Sequence, residues 1–317
     1  RRLPGPRRVS RSRRRPKCPL AAAACFAAAG LLALVSCERS GPSAAGPHPE
    51  PAVRVAAISP ALAEMLREQH LGEAIVARHD YDAFTDPRVP PVGHQEALDY
   101  ERLLAARPTH VLVQWGRREL PPRLAEIASA RGWTVRDFPL TTLDEVRSAS
   151  AWIREHLHDP AVEAGAIEPA PDPVAALDEA LTPPSALAGA GRILLLAATD
   201  PPAAIGPGSF HHDVLVRLGG RPAIEEGSPW MLLDAEDVLR LAPDAVVLIL
   251  PRGPEEPPRP APAWEELRPR LGRIAGLDIP AVRDRRVVLI DDPDLFLPAP
   301  GPLRRFAAAL HDAFRDR

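Results

Sequence analysis

The chain is short of cysteine. Three occur in 317 residues, Cys18, Cys25 and Cys37, and none follows Cys37. The first two fall in a leader expected to be removed, so the mature chain keeps one thiol. That excludes disulfides within it, thiolate metal centres and a cysteine nucleophile. Catalytic signatures are missing as well. No serine stands in a Gly-x-Ser-x-Gly elbow, and Gly206-Pro207-Gly208-Ser209 lacks the lysine and spacing of a phosphate loop. His79, His94, His110, His211 and His212 invite a metal reading, yet neither His-x-x-x-His nor His-Glu-x-x-His spacing occurs. Ser59, His94 and Asp82 can be imagined as a triad, but nothing in the sequence calls for catalysis. The expectation is a binding protein, not an enzyme, with no resident metal or cofactor.

Acids are missing from residues 1–17, which carry nine Arg or Lys. An apolar run follows from Leu20 to Val35, rather short for a spanning helix and suited to a signal peptide. It ends in Leu34-Val35-Ser36-Cys37, which resembles the lipobox of bacterial lipoproteins, whose cysteine becomes the lipidated N-terminus. The expected location is therefore outside the cytoplasm, lipid-anchored to a membrane on its periplasmic or cell-surface side. Loss of the leader moves the net charge from −3 to −12 (30 basic against 42 acidic residues), which argues against nucleic acid as a partner. Glu38 to Ala52, rich in Ser, Pro and Gly, reads as a tether.

What the mature chain does contain is a repeat. Leu98-Asp99-Tyr100-Glu101-Arg102-Leu103 through Pro108 and Val113 returns, 135 residues later, as Leu233-Asp234-Ala235-Glu236-Asp237-Val238 through Pro243 and Leu248. Each copy reads as an Asp N-cap, an acidic first turn, about two turns of helix, a proline stop and a buried strand. So long a period suggests two related lobes with a ligand cleft between them. Arg54–Ile58, Ile75–Ala77, Val111–Gln114 and Trp133–Phe138 read as strands of the first lobe; Arg192–Leu196, Ala245–Leu250 and Val287–Ile290 read as strands of the second. Helices alternate with them, at Ser59–Leu66, Pro121–Ala130, Leu143–Leu157, His212–Leu218, Asp234–Leu241 and Leu303–Phe314. The alternation predicts parallel, Rossmann-like α/β sheets in both halves. The domain reading is a leader at 1–37, a tether at 38–52, an N-terminal lobe at 53–157, a proline-rich helical connector at 158–191 and a C-terminal lobe at 192–317. Within the connector only Ala161–Ile167 and Val174–Leu181 suit short helices.

The order of elements resembles the substrate-binding proteins of ABC importers for cobalamin and ferric siderophores. The resemblance runs from Val53 to Phe314. It rests on Val55 to Pro60 before Glu64, Asp80-Tyr81-Asp82 before Pro91-Val92-Gly93, and Leu103 to Pro108 before Val111. In the second half it rests on Leu218-Gly219-Gly220, Pro229-Trp230 and Glu236 through Asp244. It implies two Rossmann-like lobes, a helical connector, capture of a metal chelate, and delivery to a permease and its ATPase by a monomeric receptor. A corrinoid is the first expected ligand, a ferric siderophore or haem the second. Prolines through Pro169–Pro184 depart from the family's uninterrupted connecting helix.

Glu101 and Glu236, matched by the repeat, correspond to the glutamates with which this family docks on permease arginines. Loops after strand ends supply the ligand candidates Ser59, Tyr81, His94 and Trp115 in the first lobe, and Phe210, Trp230 and Phe296 in the second. Aromatic faces among them suit a large flat ligand, and His94 is placed to reach a corrin cobalt or haem iron. Trp133 and Trp152 read as core. A lipid-anchored receptor without a permease, or a secreted hydrolase, remains the alternative.

Overall fold

The computed structural model describes residues 53–315 apart from 117–118, 183–186 and 254. The leader, Cys37 and the tether lie outside the described residues. Val55–Ile58 (β1) is an aliphatic run buried along its whole length, as a strand covered on both faces requires. Extended Ser59 leads it into Pro60–Glu68 (α1), whose first-turn proline has no N–H to leave unpaired. Ile75–Arg78 (β2), a small hairpin of Gly93–His94 (β3) and Ala97–Leu98 (β4), and Tyr100–Ala106 (α2) follow. His110–Val113 (β5), Pro122–Arg131 (α3) and Thr134–Asp137 (β6) complete the lobe. Its sheet has the order β2-β1-β5-β6, and every pair is parallel.

The first proline of the connector, Pro160, is accommodated by a change of helix geometry. Leu143–Ile153 (α4) begins on a capping box formed by Thr142 and Glu145 and runs through a π-helical turn, Arg154–His158, into Asp159–Glu163 (α5). Pro160 has no N–H for the ladder. The widened turn sends the Asp159 N–H back to the Arg154 carbonyl, so the run Leu143–Glu163 stays continuous across a residue that would break an ordinary helix. Pro169 and Pro171 lie in the return loop, and Pro173 opens Pro173–Ala180 (α6) behind an Asp172 cap. The loop is held by His158, whose Nε2 accepts the Ala170 N–H at 3.0 Å while Nδ1 faces Asp159 at 2.6 Å. The helical stretch read at Leu143–Leu157 and the first turn of that read at Ala161–Ile167 are thus one run, which stops at Glu163 because Gly165 turns left-handed.

In the second lobe Arg192–Thr199 (β7) turns at Asp200-Pro201 into Pro202–Ile205 (β8). Phe210–Arg217 (α7), Arg221–Pro222 (β9), Trp230–Leu232 (β10), Ala235–Leu241 (α8) and Ala245–Ile249 (β11) come next. Trp264–Leu267 (α9), a stretch of 3-10 turns, Pro280–Arg283 (α10), Val287–Ile290 (β12) and Pro300–Arg315 (α11) close the chain. The order is β10-β8-β7-β11-β12, with β9 beside β7. β7, β11 and β12 are parallel, as expected, but β8 and β10 are antiparallel. The all-parallel expectation fails here because two residues between β7 and β8 can close a hairpin and cannot make a crossover.

The repeat is reproduced in detail. Asp99 and Asp234 each accept an N–H from three residues on, the two helices are each seven residues long, and each ends on a left-handed residue, Arg107 and Ala242. An arginine entering the first strand of each lobe ties down the helix end. Arg54 donates to the carbonyls of Ala106 and Arg107, and Arg192 donates to that of Leu241. These are carbonyls that a helix C-terminus leaves without partners. One apolar core passes through both lobes. It joins Leu62, Met65 and Leu66 of α1, Val146 and Ile153 of α4, Val214 and Leu215 of α7, and Leu303, Phe306 and Leu310 of α11.

A carboxyl sits at this junction. Glu68 of α1 accepts the Gly301 N–H of α11 at 2.7 Å through Oε1, while its Oε2 is buried without a partner. Burial is the main cause that lifts its pKa from 4.5 to about 7, with Glu64 adding and Arg304 and Arg305 opposing. An acid raised in the folded state stabilises the fold most while protonated, and that contribution is lost as pH rises through about 7. Glu68→Gln should therefore flatten denaturant stability between about pH 5 and 8. At the upper end it should gain about 1–3 kcal/mol over the unsubstituted chain. An unchanged pH profile in urea titrations would count against this assignment.

Candidate functional site

Ligands of open α/β sheets lie outside the carboxyl ends of the parallel strands, and the N-terminal lobe gathers its polar and aromatic side chains there. Ser59 follows β1, His79 to Asp82 follow β2, Gln114 and Trp115 follow β5, and Asp137 ends β6. Ser59 is fully buried and donates its Oγ–H to Gln114 Oε1 at 2.8 Å. The Gln114 carbonyl accepts from Gln95 Nε2 at 3.3 Å, and Gln95 Oε1 faces His79 Nε2 at 3.3 Å. His79 Nδ1 in turn accepts the Tyr81 N–H at 3.1 Å. A ring whose Nδ1 accepts carries its proton on Nε2, so His79 donates to Gln95. Burial lowers its pKa and keeps it neutral.

This chain of bonds supports rings. Tyr81 is 74% exposed and stacks on His94 with centroids 5.7 Å apart, while His79 lies 5.4 Å from Tyr81 and 6.3 Å from His94. His94 Nδ1 accepts the Glu96 N–H at 3.3 Å, which leaves Nε2–H as a donor. The β3–β4 hairpin that carries His94 is held to the Tyr81 loop by Asp80, whose N–H reaches the Gly93 carbonyl and whose Oδ1 takes the Gly93 N–H. Gly93 is required at this point. Its φ is +99°, and a Cβ would lie 2.0 Å from the Ala97 carbonyl oxygen. Trp115, only 9% exposed, is fixed by its backbone N–H to Asp137 Oδ1 at 2.6 Å and packs in the lobe's core.

On the other lobe, Ser209 caps α7, and Phe210 donates its N–H to the Thr141 carbonyl across the lobe boundary at 2.8 Å. Leu143 N–H likewise meets Asp213 Oδ2 at 3.0 Å. His211, fully buried, donates Nε2–H to the Leu295 carbonyl, and burial pushes its pKa down to about 4. It lies against Phe210, Phe296 and Phe306. Phe296 is 38% exposed; Trp230, 52% exposed, lies on edge strand β10 next to Pro229, whose carbonyl takes the Gly206 N–H. Ser59, Tyr81, His94 and Trp115 thus gather at one sheet edge, and Phe210 and Phe296 share His211. Among the described residues Trp230 makes no ring contact with either group.

The arginines around the Tyr81 loop are committed. Arg78 donates to the carbonyls of Val89, His79 and Asp82; Arg67 holds Glu64 and Thr85; Arg88 holds Asp86. Among the described residues no three His, Cys, Asp or Glu side chains converge to hold a metal ion. A triad is not assembled either: Ser59 is bonded to Gln114, His94 to Glu96, and Asp82 to Phe84 and Thr85. A cavity of about 620 Å³ lies elsewhere, between β9, β10 and α8, lined in part by Arg192, Arg221, Ile224, Met231 and Asp237. None of the seven ligand candidates lines it. Glu101 and Glu236 are both exposed on their helices. His79, Gln95 and Gln114 were not legible as site residues in the sequence; the Gly93-His94-Gln95 turn after Asp80-Tyr81-Asp82 was their one local signal.

No protein-family model matches the sequence, and no curated protein matches it. Solved structures do. The periplasmic vitamin B12-binding protein BtuF of Vibrio cholerae is similar with a TM-score of 0.60 over 83% of this chain and 98% of its own, at 18% identity. The periplasmic haem-binding protein BhuT, solved with two haems, gives 0.60 over 83% and 98%, at 24% identity. A periplasmic haem-binding protein from Pseudomonas aeruginosa gives 0.58 over 83% and 92%, at 22% identity. The chain has the two-lobed α/β fold of these periplasmic binding proteins.

Proposed function

We propose that this protein is the extracytoplasmic receptor of an ABC importer and captures a flat metal chelate, a corrinoid first and haem second. The observation that carries the reading is the ring wall at the β2 edge: Tyr81 exposed and stacked on His94, with the described arginines of that loop, Arg67, Arg78 and Arg88, each bonded within the protein. Such a wall suits a wide macrocycle that gains from stacking and buried area. Among the described residues, Arg67, Arg78 and Arg88 around the Tyr81 loop offer no free fork to an anionic siderophore. Trp115, packed in the lobe's core, would back the wall from within the same lobe, and Phe210, Trp230 and Phe296 would meet the ligand from the other, with Ser59 supporting from beneath. As placed, His94 presents Nε2–H, a donor for a carboxyl or amide at the ligand's rim. Bonding a metal through Nε2 would require the proton to move to Nδ1 and the Glu96 bond to break. The fold shared with cobalamin- and haem-binding proteins supports this reading.

Titration of the purified protein with cyanocobalamin, haemin and a siderophore panel, followed by tryptophan fluorescence, should give micromolar or tighter binding to a tetrapyrrole. Tyr81→Ala should weaken it at least several-fold. Absence of any binding below about 1 mM, roughly −4 kcal/mol, ends the chelate reading.

Delivery would use Glu101 and Glu236, exposed in the first turns of the repeated helices α2 and α8. First-turn acids are favoured in any helix by the macrodipole, so exposure alone does not assign them. Their matched positions suit two arginine sites on a permease, where charge pairs steer and orient more than they tighten. Reversal of both charges should stop uptake and leave chelate affinity unchanged; uptake at the original rate removes the docking role. Lipidation of Cys37 would keep the receptor at the membrane, and Cys37→Ala should move it to the soluble fraction. Unchanged partitioning would show that another feature anchors it.

A further inference from the structure

Two segments make the ring wall, the loop after β2 and the β3–β4 hairpin, and neither is regular enough to hold itself. The loop carries the exposed Tyr81, and exposed aromatic side chains on loops ordinarily sample several orientations. Here one buried side chain touches both segments. His79 sits 4% exposed, with Nδ1 on the Tyr81 N–H at 3.1 Å and Nε2 on Gln95 of the hairpin at 3.3 Å. We infer that His79 is a positioning residue that sets the orientation of Tyr81, and joins the two halves of the wall, through its Nε2–H tautomer. The inference rests on the chelate reading for its consequence in binding, though not for its geometry.

The local geometry shows how the device works. A side-chain acceptor at one residue taking the N–H two residues on is the Asx-turn pattern, which Asn and Asp provide as a matter of course. Asp82 does this a turn later, accepting from Phe84 at 3.0 Å. At the first turn an imidazole replaces the carboxyl or amide. Its advantage is its second nitrogen, which an Asn lacks at that reach. With Nδ1 accepting and Nε2–H donating, one ring fixes the loop and reads the hairpin. The hairpin is also tied by Asp80 to Gly93, so the two contacts oppose rotation of one segment against the other. The ring itself packs 5.4 Å from Tyr81 and 6.3 Å from His94, beneath the exposed face. A wall set before the ligand arrives leaves less ordering to be done on binding.

The test uses the full chain with His79→Asn and His79→Leu. Asn can still accept the Tyr81 N–H; Leu fills space and accepts nothing. Hydrogen exchange of the Tyr81 amide in the ligand-free protein should be slow in the original chain, similar in the Asn variant and clearly faster in the Leu variant. Long-range nitrogen–proton spectra should show His79 neutral and protonated on Nε2. Affinity for cyanocobalamin and haemin should fall about tenfold with Leu, which makes neither hydrogen bond, and by a smaller factor with Asn, which keeps the Tyr81 contact and loses the one to Gln95. Tyr81 exchange that is equal in the original and Leu chains, or an Asn variant no better than Leu in exchange and affinity, overturns the inference. If the exchange pattern holds and neither chelate binds the original chain, the positioning role stands and the chelate reading falls.

Discussion

The structure depends on one apolar seam that does not stop at the lobe boundary. Leu143–Glu163 lies against α1 on one side and α7 and α11 on the other, and the residues it buries belong to the same core as both sheets. Burial of this kind, at about 25 cal/mol per Å², outweighs any single polar contact in holding the lobes together. Its consequence is placement. The start of α4, the start of α7 and the loop after β12 meet through Phe210 N–H to Thr141, Leu143 N–H to Asp213 and His211 to Leu295. A continuous helical run through this seam makes large relative rotation of the lobes costly, because the apolar faces would have to part.

Polar groups are then arranged around that seam with few left over. The widened turn at 154–158 answers the missing N–H of Pro160, and Arg54 and Arg192 donate to the carbonyls at the ends of the two repeated helices. At the ligand edge the same economy makes chemistry. Ser59, Gln114, Gln95 and His79 form a relay of single hydrogen bonds that ends at a backbone amide, and the group left facing water is an aromatic ring. The wall is thus bonded underneath and presents ring faces with polar edges on top.

Much of this was legible in the chain. The 135-residue repeat foretold two matched helices, their aspartate caps and their proline stops, because capping is local and needs only nearby residues. The aliphatic runs gave the central strands for the same reason. What was hidden depends on distant partners. Arg54 and Arg192 are 138 apart, out of step with the repeat, and their targets are carbonyls that no sequence pattern marks. β8 and β10 were missed because Pro202-Ala203-Ala204-Ile205 and Trp230-Met231-Leu232 are too short for periodicity to speak. Among the candidate residues, Tyr81 and His94 were named from their loops, and the structure places their rings against each other. His79 read only as a poor metal ligand, since its two partners lie 2 and 16 residues away.

The central claim is that a flat chelate lies on the Tyr81–His94 wall at the strand edge. A crystal structure of the protein with the tetrapyrrole that binds it tests this directly. A ring plane against Tyr81 is expected, with side chains of the second lobe, Phe210 or Phe296 among them, on the other face. A chelate seated instead in the cavity of about 620 Å³ beside Arg192 and Arg221, with Tyr81 still open to solvent, would contradict it.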